Sequence, residues 1–163
     1  MSSLSKELLP PLLIAVVLGI IGVISIWVQA PLLIPSLGSA IFLQTLTPEE
    51  PSARPWNTGV GQLVGAAAGF IGVFVAAAAS TPHFMADDRL TFARVAAAVI
   101  AVLLSAAGQR VLKATSAAGG ATALVVALGA ETATEAGAIR LFFGILLVTA
   151  IGEAARQLIL RSR

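Results

Sequence analysis

Four long apolar stretches, separated by short polar loops, constrain this chain more than any other feature of its sequence. They run over Leu8–Trp27, about Asn57–Ala79, Thr91–Ala107 and about Ala138–Leu160. Each is close to the roughly 20 residues that an α-helix needs to cross a bilayer. Charged residues make up only 11% of the chain, against about 25% in a soluble domain. The sequence therefore predicts one all-α integral membrane domain over residues 1–163.

Residue types that carry enzyme chemistry are scarce. The chain has no cysteine and one histidine, His83, which lies beside Asp87 and Asp88 in the central polar loop. No Ser/His/Asp grouping, phosphate-binding loop or paired carboxylates occur in a plausible cavity. The Lys and Arg residues form no basic stripe interleaved with aromatics, as nucleic-acid binding would need. We therefore expect no enzyme, no metal, no cofactor and no nucleic-acid partner.

Two further apolar segments are too short or too interrupted to be ordinary spans. The first, Ala30–Thr47, contains two prolines and a glycine before a clean run over Leu37–Leu46. The second reads T-S-A-A-G-G over Thr115–Gly120 and continues as a short run over Ala121–Leu128. The sequence predicts two broken or half-length helices here, and it leaves open whether they cross the membrane or re-enter.

The two halves of the chain resemble each other at an offset of 82 residues. This offset aligns Gly38 with Gly120 and Glu49 with Glu131 without a gap, although Ile71 falls on Glu153. Long spans coincide with long spans and short ones with short ones. We predict two repeats, about 1–81 and 83–163, each a full span, a short segment and a second full span.

The distribution of positive charge predicts the topology. If all six segments cross, seven Lys and Arg residues lie on one side and three on the other; if the short segments re-enter, the split is six to four. Positive residues concentrate on the cytoplasmic side, which favours six crossings, inverted repeats and both termini in the cytoplasm. The apolar stretch at the N-terminus is longer than a signal-peptide core, so we expect a retained helix in a bacterial plasma membrane.

The interruptions also predict a binding site. A helix that begins inside the membrane leaves its first amides without partners, which we expect at Leu37, Gly38 and Ser39, and such helix starts favour anions. The second interruption, Ser116–Ala121, offers the same chemistry. The alternative is that the glycines only permit tight turns and close packing. The predicted substrate-binding residues, with the two interruptions meeting near the midplane, are Ser36, Leu37, Gly38, Ser39, Asn57, Gln62, Ser116, Gly119, Gly120 and Thr122.

Other motifs have simpler interpretations. Gly61, Gly65 and Gly69 recur every four residues along an apolar stretch, which predicts a helix-packing face and not a nucleotide-binding loop. Glu153 and Arg156 are spaced to pair on one helical face. Near the segment ends, Arg110 and Lys113 could attract an anion or extend to the membrane interface.

Three motifs resemble the HPP family of integral membrane proteins. They are P-S-L-G-S-A at Pro35–Ala40, P-W-N-x-x-x-G-Q at Pro55–Gln62 and S-A-A-G-G-A-T-A-L at Ser116–Leu124. The family's name comes from a His-Pro-Pro triplet before G-G-A-T-A-L, and this chain has Ser116, Ala117 and Ala118 in its place. In the second motif it has Trp56 and Gln62 where the family usually has Arg and His.

The resemblance implies four membrane helices and a permease or channel, because some plastid and cyanobacterial members are associated with nitrite transport. The leading hypothesis is a transporter or channel for a small solute, a small inorganic anion such as nitrite. One alternative is a membrane scaffold that binds a partner or itself through its glycine-rich faces. Another is a channel for a neutral solute such as water or urea. Broken segments need protein cover in the bilayer, so we expect a homo-oligomer.

Overall fold

A computed structural model describes residues 3–82 and 89–162, and every regular element in these ranges is helical. The loop residues His83, Asp87 and Asp88 lie outside them. The α-helices are α1 (Ser3–Trp27), α2 (Pro35–Leu46), α3 (Gly61–Val75), α4 (Phe92–Val111), α5 (Ala117–Ala127) and α6 (Glu135–Ser162). A 3-10 turn at Pro51–Ala53 and a π-helical turn at Trp56–Val60 precede α3.

Four of the helices are long and apolar enough to cross a membrane, as predicted. They correspond to Glu7–Trp27, Trp56–Val75, Phe92–Val111 and Glu135–Ser162. Two boundaries differ from the sequence prediction. The second span ends at Val75, because Ala77 takes a positive φ of 51° and turns the chain. The third continues past the predicted end at Ala107, so that Gln109 and Arg110 belong to its last turn.

The two short segments form helices that begin earlier than the sequence predicted. α2 starts at Pro35, where a missing amide hydrogen costs nothing. α5 starts at Ala117 and not at Ala121, so Gly119 and Gly120 lie inside the helix and do not break it. The carbonyl of Ser116 accepts hydrogen bonds from both glycine amides, which closes the first turn. The starts of α2 and α5 are 82 residues apart, equal to the offset of the repeat.

The helices pack as two groups of three. α3 packs against α4 and α5, which contact each other, while α6 packs against α1 and α2 in the same way. The first group is held by glycine contacts: a Cβ on Gly65 would overlap the backbone of Gly119, and one on Gly72 would overlap the carbonyl of Ala97. Small residues let membrane helices approach this closely. The predicted packing face on α3 is confirmed.

Contacts along the helices fix their relative directions. Gly65 contacts Gly119 and Gly69 contacts Val126, so α3 and α5 are parallel. Gly144 lies against Leu37 and Gly152 against Gln44, so α6 and α2 are parallel. α3 and α6 are antiparallel, because the start of α3 contacts the middle of α6 and the end of α3 lies beside the start of α6. It follows that α2 and α5 run in opposite directions.

Side chains of α4 bind both ends of α5. Its N-cap amide, at Ser116, donates to Gln109 near the end of α4. At the other end, Arg94 near the start of α4 donates from Nη1 to the carbonyl of Ala127 at 3.1 Å. The Arg94 guanidinium also donates to the carbonyl of Thr81 at 2.8 Å. With 11 residues, α5 covers roughly half the length of the 20-residue α4, and the long Arg94 side chain reaches its C-terminal end.

Ion pairs hold the two ends of α6. Glu153 and Arg156 pair at 3.1 Å, as the sequence predicted, and Arg156 Nε also donates to the carbonyl of Pro48 at 2.6 Å. Arg140 pairs with the buried Glu131 at 2.8 Å. These contacts tie α6 to the loop after α2 at one end and to the loop after α5 at the other.

Candidate functional site

The start of α5 leaves several hydrogen-bond donors free. Ser116 is extended (φ −148°, ψ 125°), and its amide donates to Gln109 Oε1 at 2.7 Å. Its carbonyl accepts from Gly119 at 3.1 Å and Gly120 at 3.4 Å. The predicted free amides of these two glycines are therefore occupied. Within the described residues, the amides of Ala117 and Ala118 and the hydroxyl of Ser116 have no acceptor.

The start of α2 has the same backbone hydrogen-bond pattern as the start of α5. The carbonyl of Ile34 accepts from the amides of Leu37 at 2.9 Å and Gly38 at 3.2 Å. The prediction that these amides lack partners is wrong, because the extended residue before the helix supplies an acceptor. Ser39 is the fifth residue of α2, where regular helix bonding begins, and its hydroxyl donates to the carbonyl of Ser36 at 2.7 Å. The hydroxyl of Ser36 is buried and has no partner in the described part of the chain.

A groove of about 730 Å³ runs between α2 and α5, and we call it the α2–α5 groove. The first turns of both short helices line it, at Gly38 and Ser39 on one side and at Ala117 and Ala118 on the other. Nothing lies within 4 Å of the position that a Cβ on Gly38 would occupy. The remaining lining is largely apolar: Pro35, Phe42, Leu43, Leu46, Thr47 and Ala121.

A second cavity of about 400 Å³, the α4–α5 hollow, lies on another side of the same turn of α5. Ser116, Ala117 and Gly120 line it from α5 and the residue before it. α4 contributes Gln109 and the exposed Arg110. A Cβ on Gly120 would meet nothing within 4 Å. Ala117 lines both cavities, so the first turn of α5 separates the groove from the hollow.

An uncharged polar cluster is buried between α2, α3, α5 and α6. Gln44 Nε2 lies 3.5 Å from both Thr58 Oγ1 and the carbonyl of Thr149. Gln62 Nε2 donates to the carbonyl of Thr58 at 3.0 Å, and Gln62 Oε1 lies 3.5 Å from Thr122 Oγ1. Gln44 Oε1 and Thr149 Oγ1 are buried without partners in the described residues. In this cluster the side-chain nitrogens of both glutamines have hydrogen-bond acceptors, whereas two oxygens, Gln44 Oε1 and Thr149 Oγ1, have no donor.

The predicted site residues do not gather at one point. Gly38 and Ser39 line the groove, Ser116 and Gly120 line the hollow, and Gln62 with Thr122 belongs to the polar cluster. The first turns of both short helices line the same groove, and the meeting of the two interruptions near the midplane stays a prediction.

The other predicted site residues have structural contacts. Leu37 packs at Gly144, and Gly119 packs against Gly61. Asn57 Nδ2 donates to the carbonyl of Thr115 at 3.0 Å and so holds the loop before α5.

Sequence reasoning missed three members of the polar cluster, Gln44, Thr58 and Thr149. Gln44 lies inside the apolar run I-F-L-Q-T-L and Thr149 inside the last span. An amide in the middle of a membrane segment is costly unless it is bonded or functional, and this was the signal that could have identified Gln44. Threonine carries no such signal, because it bonds readily within its own helix.

Comparison with known proteins supplies the family. The family model described as HPP, transmembrane region, matches residues 2–161. The chain belongs to the HPP family. The resemblance found in the sequence motifs is confirmed, and with it the assignment as an integral membrane protein. Comparison with curated proteins and with solved structures gave no match. In this HPP protein, Ser116 is the N-cap of α5, and Ala117 and Ala118 are its first residues.

Proposed function

We propose that this HPP protein transports a small solute across the membrane, with the α2–α5 groove as the solute path. The observation that carries the proposal is the lining of one groove by the first turns of both short helices. Ala117, an exposed residue with an unpaired amide, belongs to that lining, and the unpaired amide of the buried Ala118 lies next to it in the chain. Because the groove is otherwise largely apolar, the Ala117 amide is the backbone group that can replace part of a solute's hydration shell.

Unpaired polar atoms inside the bundle support this proposal. Four buried side-chain oxygens in the described residues have no partner: Ser36 Oγ, Gln44 Oε1, Ser116 Oγ and Thr149 Oγ1. Each such group costs roughly 1–3 kcal/mol when nothing bonds to it. A protein that only anchors or packs gains nothing from this cost, whereas a transporter exposes such groups to water or solute during its cycle.

The solute class we propose is a small inorganic anion, with nitrite as the specific candidate. Amides and a hydroxyl at the start of α5 are donors, and the start of a helix carries a partial positive charge. These groups favour an acceptor-rich anion over a cation. Nitrite is chosen among such anions because of the family resemblance. A neutral solute such as urea would instead be carried at a rate independent of membrane voltage, which separates the two possibilities.

We further propose that the halves form an inverted repeat with both termini in the cytoplasm of a bacterium. The equal offset of the starts of α2 and α5 supports the repeat. Its inversion is supported by the packing, because the last helix of each half packs against the first two helices of the other half, and α3 and α6 are antiparallel. The excess of Lys and Arg on the side of the termini supports the orientation.

Uptake into proteoliposomes tests the transport proposal. We would measure nitrite uptake against nitrate, chloride and urea for the unmodified protein, Gly38→Leu and Gly19→Leu. At both glycines a Cβ would meet nothing within 4 Å, but Gly38 lines the groove whereas Gly19 is in α1. We expect saturable nitrite uptake that Gly38→Leu abolishes and Gly19→Leu preserves. A folded, reconstituted protein that carries none of the four solutes would rule out the transport proposal.

A scaffold function is the second candidate, and one observation favours it. Gly119 packs so closely against Gly61 and Gly65 that the second interruption is closed on its α3 side. A scaffold would bind a second copy or another membrane protein, and a homo-oligomer is part of both proposals. Light scattering of the detergent-solubilised protein would give its oligomeric state. A stable oligomer with no transport of any tested solute would favour the scaffold.

A further inference from the structure

We propose that the α4–α5 hollow is a second anion-binding site, separate from the groove, in which Ser116, Ala117 and Arg110 bind a small inorganic anion. This inference rests on the proposed function, because it supplies the place where the anion is bound before it enters the groove. It deepens that function by assigning the recognition of charge to Ser116 and Arg110, which do not line the groove. Ala117 alone is common to both linings.

The Ser116 hydroxyl is the first observation that points to a ligand. Ser116 is only 3% exposed, and its Oγ has no partner in the described residues although it is the N-cap residue of α5. A serine at this position normally accepts a bond from an amide of the first turn, but here it makes no capping bond. Its hydroxyl hydrogen is therefore uncommitted, in a residue that lines the hollow next to the free amide of Ala117.

Two consecutive hydrogen bonds leave hydrogen-bond donors free among the residues that line the hollow. The Ser116 amide donates to Gln109 Oε1 at 2.7 Å, and Gln109 Nε2 donates to Ser105 Oγ at 2.8 Å. Ser105 thus receives a bond and keeps its own hydroxyl hydrogen, which has no acceptor in the described residues. Since Ser105 also lines the hollow, three uncommitted donors belong to its lining residues, namely the hydroxyls of Ser105 and Ser116 and the amide of Ala117.

The charge of the hollow is positive. Arg110 lies on its rim, and its guanidinium has no ion pair or hydrogen bond within the described ranges. No carboxylate is among the lining residues, which otherwise are Val102, Ala106, Thr115 and Gly120. The start of α5 adds the partial positive charge of a helix N-terminus. A volume of about 400 Å³ accommodates a small inorganic anion with part of its hydration shell.

The position of the hollow links it to the groove. Ala117 separates the two cavities, so an anion in the hollow lies within about one helical turn, roughly 5 Å, of the groove lining. A site that concentrates the anion here raises the rate at which the groove is filled, and it does so most at low anion concentration. Loss of the site should therefore raise the KM for uptake and leave the maximal rate nearly unchanged.

Calorimetric titration of the full-length protein in detergent tests the site directly. Sodium nitrite, nitrate and chloride would be added to the unmodified protein, Ser116→Ala, Arg110→Gln and Lys113→Gln. Lys113 is an exposed cation three residues beyond Arg110 that does not line the hollow. We expect Ser116→Ala and Arg110→Gln each to weaken binding about tenfold, the effect of losing roughly 1.4 kcal/mol. Lys113→Gln should change the Kd by less than about twofold.

Stability and uptake measurements distinguish a failure of the second-site proposal from a failure of the transport proposal. Because the Ser116 hydroxyl bonds to nothing in the described structure, Ser116→Ala should keep the melting temperature measured without anion and lose the rise that nitrite produces. Unchanged Kd and KM in both hollow variants would overturn the second site while leaving transport intact. An equal loss of affinity in Lys113→Gln would also overturn it, because the effect would then be general electrostatics. Intact binding without any uptake would instead reject the transport proposal alone.

Discussion

Gly119 and Gly120 are neighbours in α5 with opposite surroundings, and they provide a matched test of the packing. A Cβ on Gly119 would overlap the backbone carbonyl of Gly61, whereas a Cβ on Gly120 would meet nothing within 4 Å. Both changes to alanine gain about 1 kcal/mol in helix propensity. Overpacking costs roughly 1–3 kcal/mol, and the upper end applies at Gly119 because backbone atoms cannot rotate aside. We expect Gly119→Ala to lose about 2 kcal/mol net and Gly120→Ala to gain about 1.

The assay is thermal unfolding in detergent, followed by the fraction that remains monodisperse on size exclusion after heating. For a chain of this size, 1 kcal/mol corresponds to roughly 2–4 °C, so the two variants should differ by about 6–12 °C. Equal melting temperatures, or a less stable Gly120→Ala, would refute the close approach of α3 and α5. A difference of this size would show that helix packing requires the absence of a side chain at Gly119 but not at Gly120.

Three further changes test other contacts. Arg94→Met should destabilise the protein by several kcal/mol, because the carbonyls of Thr81, Pro82 and Ala127 lose a charged donor. Arg94→Lys should recover only part of this stability, and equal stability of the two variants on denaturation in detergent would contradict a role for the fork geometry of the guanidinium. Gln44→Leu should change stability by less than about 1 kcal/mol, since its bond to Thr58 is at the 3.5 Å limit; a large loss would assign it a structural role. Glu131→Gln should cost about 1–3 kcal/mol through the pair with Arg140, and a melting temperature independent of this change would contradict that pairing.

The sequence predicted the fold well where hydrophobic length alone decides the structure. All four long spans were found because about 20 apolar residues in a row have few alternatives to a membrane helix. The starts of α2 and α5 were placed too late because glycine and proline were taken as helix breakers. In this protein Pro35 begins a helix, where proline is tolerated, and Gly119 lies inside one, where packing against Gly61 requires the absence of a side chain.

The candidate site was predicted less completely, and the reason is geometric. Which amides are free depends on the conformation of the residue before the helix. Extended Ile34 and Ser116 each supply a carbonyl to the third and fourth residues after them, so Gly38 and Gly120 lost their predicted role as donors. The donors that remain, at Ala117 and Ala118, carry no distinctive side chain. Nothing in their residue types could have identified them.

The last helix of each half packs against the first two helices of the other half, and this arrangement sets the order in which the protein can be assembled. α1 and α2 emerge first during synthesis, yet the helix that both pack against is α6, the last to be made. Until α6 is inserted, α1 and α2 lack the helix against which both pack, and apart from its contacts with α1, α2 has only smaller contacts with α5 and with the turns before α3, whereas α3, α4 and α5 can already associate. The group containing α3 is therefore complete before the group containing α6. For the same reason, two separately expressed halves would each lack the helix that the other holds, and they could form a stable bundle only by finding each other in the membrane.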